Sequence, residues 1–136
     1  MVKITATYKG KLHCELTHGP SGSLIETDAP SDNNGNGENF SPTDLVGAAL
    51  ASCILTVMGI VAQRDQIKLE GARVTIEKEM ISTPTRRIGS LKAQVTMPSG
   101  ISQENRAKLE RTALHCPVHK SLHPDIDTPI LFTYPD

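Results

Sequence analysis

Between Asp44 and Arg64 the chain carries no charge at all: residues 45–63 read LVGAALASCILTVMGIVAQ, 19 positions in a row. A run of that length must be taken out of water, either in a bilayer or in a protein core, because about 20 apolar residues suffice to cross the hydrocarbon layer. This run contains two Gly, four Ala, a Ser, a Thr and a Cys, so it is only mildly hydrophobic. Its flanks lack aromatic anchors and a basic cluster. The rest of the chain reads as amphipathic strands that need a surface to pack on. The expectation is therefore a long, buried central helix, apolar all round, inside a globular core, with no membrane partner. Its start is well marked. Ser41 can cap it, Pro42 suits the first helical position, and Asp44 completes an S-x-x-D capping box. Its end falls near residues 64–66.

The other elements follow from periodicity and punctuation. Val2, Ile4, Ala6 and Tyr8 alternate with Lys3, Thr5, Thr7 and Lys9, the pattern of a half-buried strand. Residues 12–18 and 24–27 add two more strands, so residues 1–27 form an N-terminal meander. Residues 28–40 are rich in Asp, Asn and Gly and form a surface loop, long enough to suggest function or mobility. The central helix takes residues 41–66. Residues 67–136 supply a strand pair at 69–81 and 87–97, joined by the hairpin loop STPTRR. A second helix follows over 103–115, capped by Ser102, with Leu109, Ala113 and Cys116 on one stripe. Pro117 stops that helix, a short turn runs over 118–122, and Ile130, Phe132 and Tyr134 mark a last edge strand. The fold class is α+β with antiparallel sheets, in a single domain over residues 1–136.

Composition removes whole classes of function. The net charge is −1, there is no basic cluster, and only four aromatic side chains are available for base stacking, so nucleic acid is not expected as a partner. Three cysteines make an odd count, unlike a secreted disulfide framework. Met1 leads straight into alternating residues rather than a signal-like segment. A reducing cytoplasm is the expected location, and there a cysteine pair is catalytic or metal-binding more often than structural.

Cys53, alone on a buried helix, would read as a small hydrophobe. Cys116 differs. It lies in ERTALHCPVHKSLHPDID, directly before a proline and between His115 and His119, where a thiol is either reactive or packed inward at a helix stop. Cys116, His119 and His123, with Cys53 or His115 as a fourth ligand, form a competing metal-site reading. The C-x2-4-C spacing of zinc sites is missing, however, and Pro117 and Pro124 bracket the two histidines. Cys14 reads as a strand residue.

Taken together, SPTDLVGAALASC followed 63 positions later by CPVHKSL resembles the OsmC/Ohr family of thiol-dependent hydroperoxide reductases, over nearly the whole chain. The resemblance implies an intertwined homodimer with long central helices between sheets and active sites at the dimer interface. It implies Cys53 as peroxidatic thiol and Cys116 as resolving thiol. No cofactor or metal is implied, only a small-molecule hydroperoxide and an external dithiol or dihydrolipoyl-type reductant. The family's better-known peroxidases carry an Arg in the N-terminal strands and a Glu just after the S/N-P. Here no Arg precedes Arg64, and the Glu position holds Thr43 with Asp44 beside it. Arg86 and Arg87 in the hairpin, or His115, His119 or Lys120 beside Cys116, are the candidate cations, and Asp44 the candidate orienting carboxylate. A non-catalytic small-molecule binding protein or a thiol redox sensor is the alternative.

Overall fold

The computed structural model describes residues 1–135, and their backbone contacts group into two compact units, one over residues 1–46 and the other from residue 47 onward. The first unit is a meander of β1 (Ile4–Gly10), β2 (His13–His18) and β3 (Leu24–Asp28), paired antiparallel in that order. Register places Ile4, Ala6 and Tyr8 beside His18, Leu16 and Cys14, and Leu16 beside Ile25, so one face of the sheet is largely apolar. The expected half-burial of the first strand does not occur in the single chain. Ile4, Tyr8, Leu24 and Ile25 are all exposed, because the three strands contact one another and form a single layer.

The polar loop after β3 is tied shut at its throat. The Asp28 amide donates to the Phe40 carbonyl at 3.2 Å, and the Ala29 amide donates to Leu12 at 3.0 Å. Gly35 packs so close to this throat that a Cβ on it would sit 1.7 Å from the Ala29 carbonyl oxygen, so no other residue fits there. The Asp28 carboxylate, buried at 5% exposure, is the junction. One oxygen takes His13 Nδ1 at 2.7 Å, and the other accepts the Asn39 amide and Nδ2, both at 3.0 Å. His13 Nε2 lies 3.1 Å from Glu26. With a carboxylate on each ring nitrogen, both nitrogens donate only if His13 is the imidazolium.

The second unit contains most of α1 (Pro42–Arg64), which begins in the first unit. It continues with β4 (Arg73–Ile81), β5 (Arg87–Thr96), α2 (Gln103–Ala113), α3 (Pro117–Ser121) and β6 (Ile130–Thr133). Gly47, Leu50, Ile54, Met58 and Ala62 form one buried stripe of α1. It lies over the β4–β5 face: a Cβ on Gly47 would come within 3.3 Å of Ile76 and 3.6 Å of Leu91. Leu91, Ala93, Val95 and Met97 of the β5 line are buried beneath it, as are Leu109 and Ala113 of α2. Each fully buried Leu, Ile or Met contributes about 1.5–3 kcal/mol by removal from water. Lys108 Nζ sits 2.8 Å from Asp65 and fastens α2 to the end of α1. Arg64, first, and Lys108 hold the Asp65 carboxyl well below the usual carboxylate range.

Two expectations change here. The helix was expected to be apolar and buried all round, but within one chain it buries a single stripe, and Ser52, Thr56, Ile60 and Gln63 lie on the open side. Antiparallel pairing holds for β4 and β5, whereas β6 runs parallel to β5, with Ala93 opposite Ile130 and Val95 opposite Phe132. The reason is the connection. α2 and α3 form the helical crossover that parallel neighbours require, and it returns the chain in the original direction. The turn expected at 118–122 is the short helix α3, and the second helix stops at Ala113.

The His13 clamp has a defined pH window. The Asp28 bond, first, and Glu26 raise the His13 pKa above 6.5, and the same bond lowers that of Asp28 below 3.8. A raised histidine stabilises fully below its unfolded value and loses the contribution as pH rises through its folded value; the lowered Asp28 stabilises above 3.8 and loses it as pH falls. In an NMR titration, His13 titrates above 6.5, and Asp28→Asn returns it toward that value. A wild-type His13 titrating below 6.5 contradicts the clamp.

Candidate active site

The start of α1 is fixed by reciprocal bonds. The Asp44 amide donates to Ser41 Oγ at 3.0 Å, and the Ser41 amide donates to the Asp44 carboxylate at 2.9 Å. Ser41 is buried at 1% exposure, so this cap is satisfied away from water. Cys53 follows beyond the second turn of the helix, half-buried and adjacent in sequence to the buried Ile54.

Cys116 is reached from α2. Leu109 and Ala113 bury one stripe of that helix, and the next position on the stripe is Cys116, itself fully buried. The chain then turns into α3, with Pro117 at the helix start and Cys116 as its N-cap. The cap is made by sulfur: the His119 amide donates to Cys116 Sγ at 3.3 Å. The Val118 amide also acts on the sulfur, and the Cys53 thiol lies near enough to influence it. Both cysteines are free thiols. Burial, the largest effect, pushes the Cys116 thiol up. The His119 and Val118 amides oppose that shift, and Cys53 adds to it. Cys116 therefore keeps its proton at neutral pH.

A groove of about 700 Å³ lies between α1 and the α2–α3 segment, lined by residues that follow the two cysteines in the chain, Val57 and Pro117 among them. Val57, Ile60 and Val61 form its floor, at four, seven and eight positions after Cys53, and so continue the Cys53 side of α1. Arg111 and His115 stand at its rim, and Pro117 closes the end next to Cys116.

Two thiols 63 positions apart brought near enough to interact, on the stretches SPTDLVGAALASC and CPVHKSL, direct attention to one family. A family model described as OsmC-like protein matches residues 35–130. The chain belongs to the OsmC-like family.

The α+β fold of this OsmC-like chain is that of its solved relatives. A crystal structure of a candidate osmotic stress induced and detoxification response protein from Psychrobacter arcticus 273-4 is 39% identical, with a TM-score of 0.92, covering 98% of this chain and 96% of that one. Two more distant structures share the fold. The organic hydroperoxide resistance protein OsmC of Legionella pneumophila is 21% identical, with a TM-score of 0.76 and coverage of 98% and 96%. The organic hydroperoxide resistance protein OhrB of Bacillus subtilis is 19% identical, with a TM-score of 0.70 and coverage of 98% of both chains. A search of curated protein sequences finds no match.

The other candidate residues of this OsmC-like protein are placed as follows. Asp44 has its carboxylate on the Ser41 amide at the helix cap. Arg86 lies in the exposed hairpin loop, and Arg87 opens β5 with its guanidinium on the Ile88 carbonyl at 3.2 Å. His119 meets Cys116 through its backbone amide, while its ring is hydrogen bonded to Thr128 Oγ1 at 2.9 Å. The ligand set Cys116, His119 and His123 is spent otherwise, since His123 Nδ1 accepts the Asp125 amide at 3.0 Å. Among the described residues, no three His, Cys, Asp or Glu side chains converge as a metal site. Cys14 sits in β2 beside Thr27 and Tyr8. The groove floor and Thr128 were not identified from sequence. The i+4, i+7 and i+8 spacing from Cys53 could have indicated the floor, but nothing local marks Thr128.

The burial of Cys116 is testable. In a Cys14→Ser, Cys53→Ser background, the rate of Cys116 alkylation by iodoacetamide rises with an inflection above 9.0, its ordinary value, while the urea-unfolded protein inflects near that value. An inflection in the folded protein below 9.0 contradicts the burial-dominated site.

Proposed function

We propose that this OsmC-like protein is a thiol-dependent reductase of hydroperoxides, with organic ones preferred. The observation that carries the proposal is the pairing of the free thiols of Cys53 and Cys116 in a chain of this family. The Cys53 thiolate attacks the distal peroxide oxygen, the O–O bond breaks, and the alcohol leaves with a proton. Cys53 is then a sulfenic acid, which condenses with the Cys116 thiol to give a disulfide and water. An external dithiol, such as a dihydrolipoyl group, exchanges with that disulfide and restores both thiols. The half-buried Cys53 is open to substrate, and the apolar floor of Val57, Ile60 and Val61 suits the organic part of a hydroperoxide. The reducing cytoplasm we propose as its location would supply the dithiol. No resident cofactor takes part in this scheme.

We also propose that the chain works as a homodimer with its sites at the interface. The exposed apolar face of β1–β3 and the exposed Ile60 on α1 support that reading, since a second copy would cover them. Sedimentation at micromolar concentration checks it: a dimer is expected, and a monomer contradicts it.

One observation favours a second reading, a thiol sensor or small-molecule binder. The chain has no Arg before Arg64 and has Thr43 where the family's peroxidases carry Glu. Turnover separates the two. With cumene hydroperoxide and excess dihydrolipoamide, the wild type is expected to turn over many times. Cys53→Ser is expected to lose at least about 10³-fold in rate, as removal of a nucleophile does. A single stoichiometric oxidation without recycling favours the sensor, and no oxidation at all favours the binder.

A further inference from the structure

α3 is five residues long and buries none of them. A helix that short cannot hold its own position, since isolated helices below about 12 residues are marginal in water. Yet the amide of its third residue, His119, fixes the sulfur of Cys116. Something outside α3 must therefore hold His119.

The structure supplies one such contact. His119 Nε2 and Thr128 Oγ1 are hydrogen bonded at 2.9 Å. Thr128 is itself a fixed point, because the sheet holds the chain on both sides of it. The Asp127 carbonyl accepts the Leu91 amide at 2.8 Å, the Asp127 amide donates to Gly89 at 3.0 Å, and the Pro129 carbonyl accepts the Ala93 amide at 2.9 Å. The His119 ring is thus a strut between the β5–β6 edge and the turn that presents the buried thiol.

We propose that His119 and Thr128 are positioning residues for the resolving step, in which the Cys116 thiol closes on an oxidised Cys53. The proposal rests on the redox-pair reading above and deepens it. In that step Cys53–SOH and Cys116–SH form an S–S bond, the S–O bond breaks, and the hydroxyl leaves as water with the Cys116 proton. The sulfurs must approach to about 2.05 Å, so Cys116 Sγ has to be presented toward Cys53 from its cap position. The strut sets that presentation. Its hydrogen bonds run to Cys116 and Thr128, and neither His119 nor Thr128 lines the groove, so it acts on resolution and not on peroxide attack. Fast resolution also protects Cys53, because a sulfenic acid that waits meets a second peroxide and becomes sulfinic acid.

The test uses Thr128→Val, which removes the hydroxyl and keeps the shape. Reduced protein is mixed with cumene hydroperoxide, and peroxide loss, dimedone-trapped sulfenic acid and disulfide are followed separately. Loss of a hydrogen bond worth about 0.5–1.5 kcal/mol is expected to slow disulfide closure about two- to twelvefold, with the rate of peroxide loss unchanged. Sulfinic acid then appears at lower peroxide. Thr128→Ser restores the wild-type closure rate, and His119→Phe reproduces the Val effect if Thr128→Val does not fold. Wild-type closure in Thr128→Val or His119→Phe, or equal slowing of both steps, overturns the proposal. If the wild type never forms sulfenic acid at Cys53, the redox reading fails and this proposal fails with it. A sulfenic acid that closes normally without the strut defeats the positioning role alone.

Discussion

The packing of one α1 stripe on the β4–β5 face is the constraint from which the site follows. Gly47 lets the helix approach Ile76 and Leu91, and Leu50, Ile54 and Met58 are sealed completely beneath it. Once Ile54 faces the sheet, the residue before it is turned to the side by the 100° helical step. Cys53 is therefore half-buried by consequence, neither sealed in the core nor left in open water. A second stripe, Leu109 and Ala113, brings Cys116 to the same place from α2. The two thiols meet because two helices each bury an apolar line.

Polarity then differs across the pair. Cys116 is fully buried and holds its proton, with the amides of α3 aimed at its sulfur. Cys53 is half-buried, and the same side of α1, one turn on at Val57, lines a groove with an aliphatic floor and Arg111 and His115 at its rim. A dry thiol behind a more accessible one suits a two-step thiol cycle, in which one sulfur meets substrate and the other waits. Arg111 belongs to α2 and His115 to the turn after it, not to the N-terminal strands, where this chain has no arginine.

Much of this was legible in the sequence where a local rule had no competitor. Ser41, Pro42 and Asp44 specify a helix start by capping chemistry alone, and the helix begins at Pro42 with those bonds made. The strand expected within residues 69–81 is β4, where Val74, Ile76, Lys78 and Met80 are half-buried and Thr75, Glu77 and Glu79 exposed. What was not legible depends on distant parts of the chain. The parallel direction of β6 follows from the crossover, not from the residues of β6. The exposure of Ile4 and Tyr8 depends on what covers a sheet, which alternation cannot report. The hairpin after β1 turns through Lys11 and Leu12 at φ +55° and +60°, positions where a sequence reader looks for Asn or Gly. Thr128 carries no motif, and its role is visible only once His119 is seen to reach it.

The central claim is that Cys53 and Cys116 are one redox pair, and intact-mass analysis of the fully reduced protein after one equivalent of cumene hydroperoxide tests it most directly. The account predicts loss of two hydrogens within seconds, a peptide linking Cys53 to Cys116, and a Cys116→Ser variant arrested at the Cys53 sulfenic acid. A protein that stays unmodified for many minutes, or a disulfide that recruits Cys14 in place of either thiol, would contradict it.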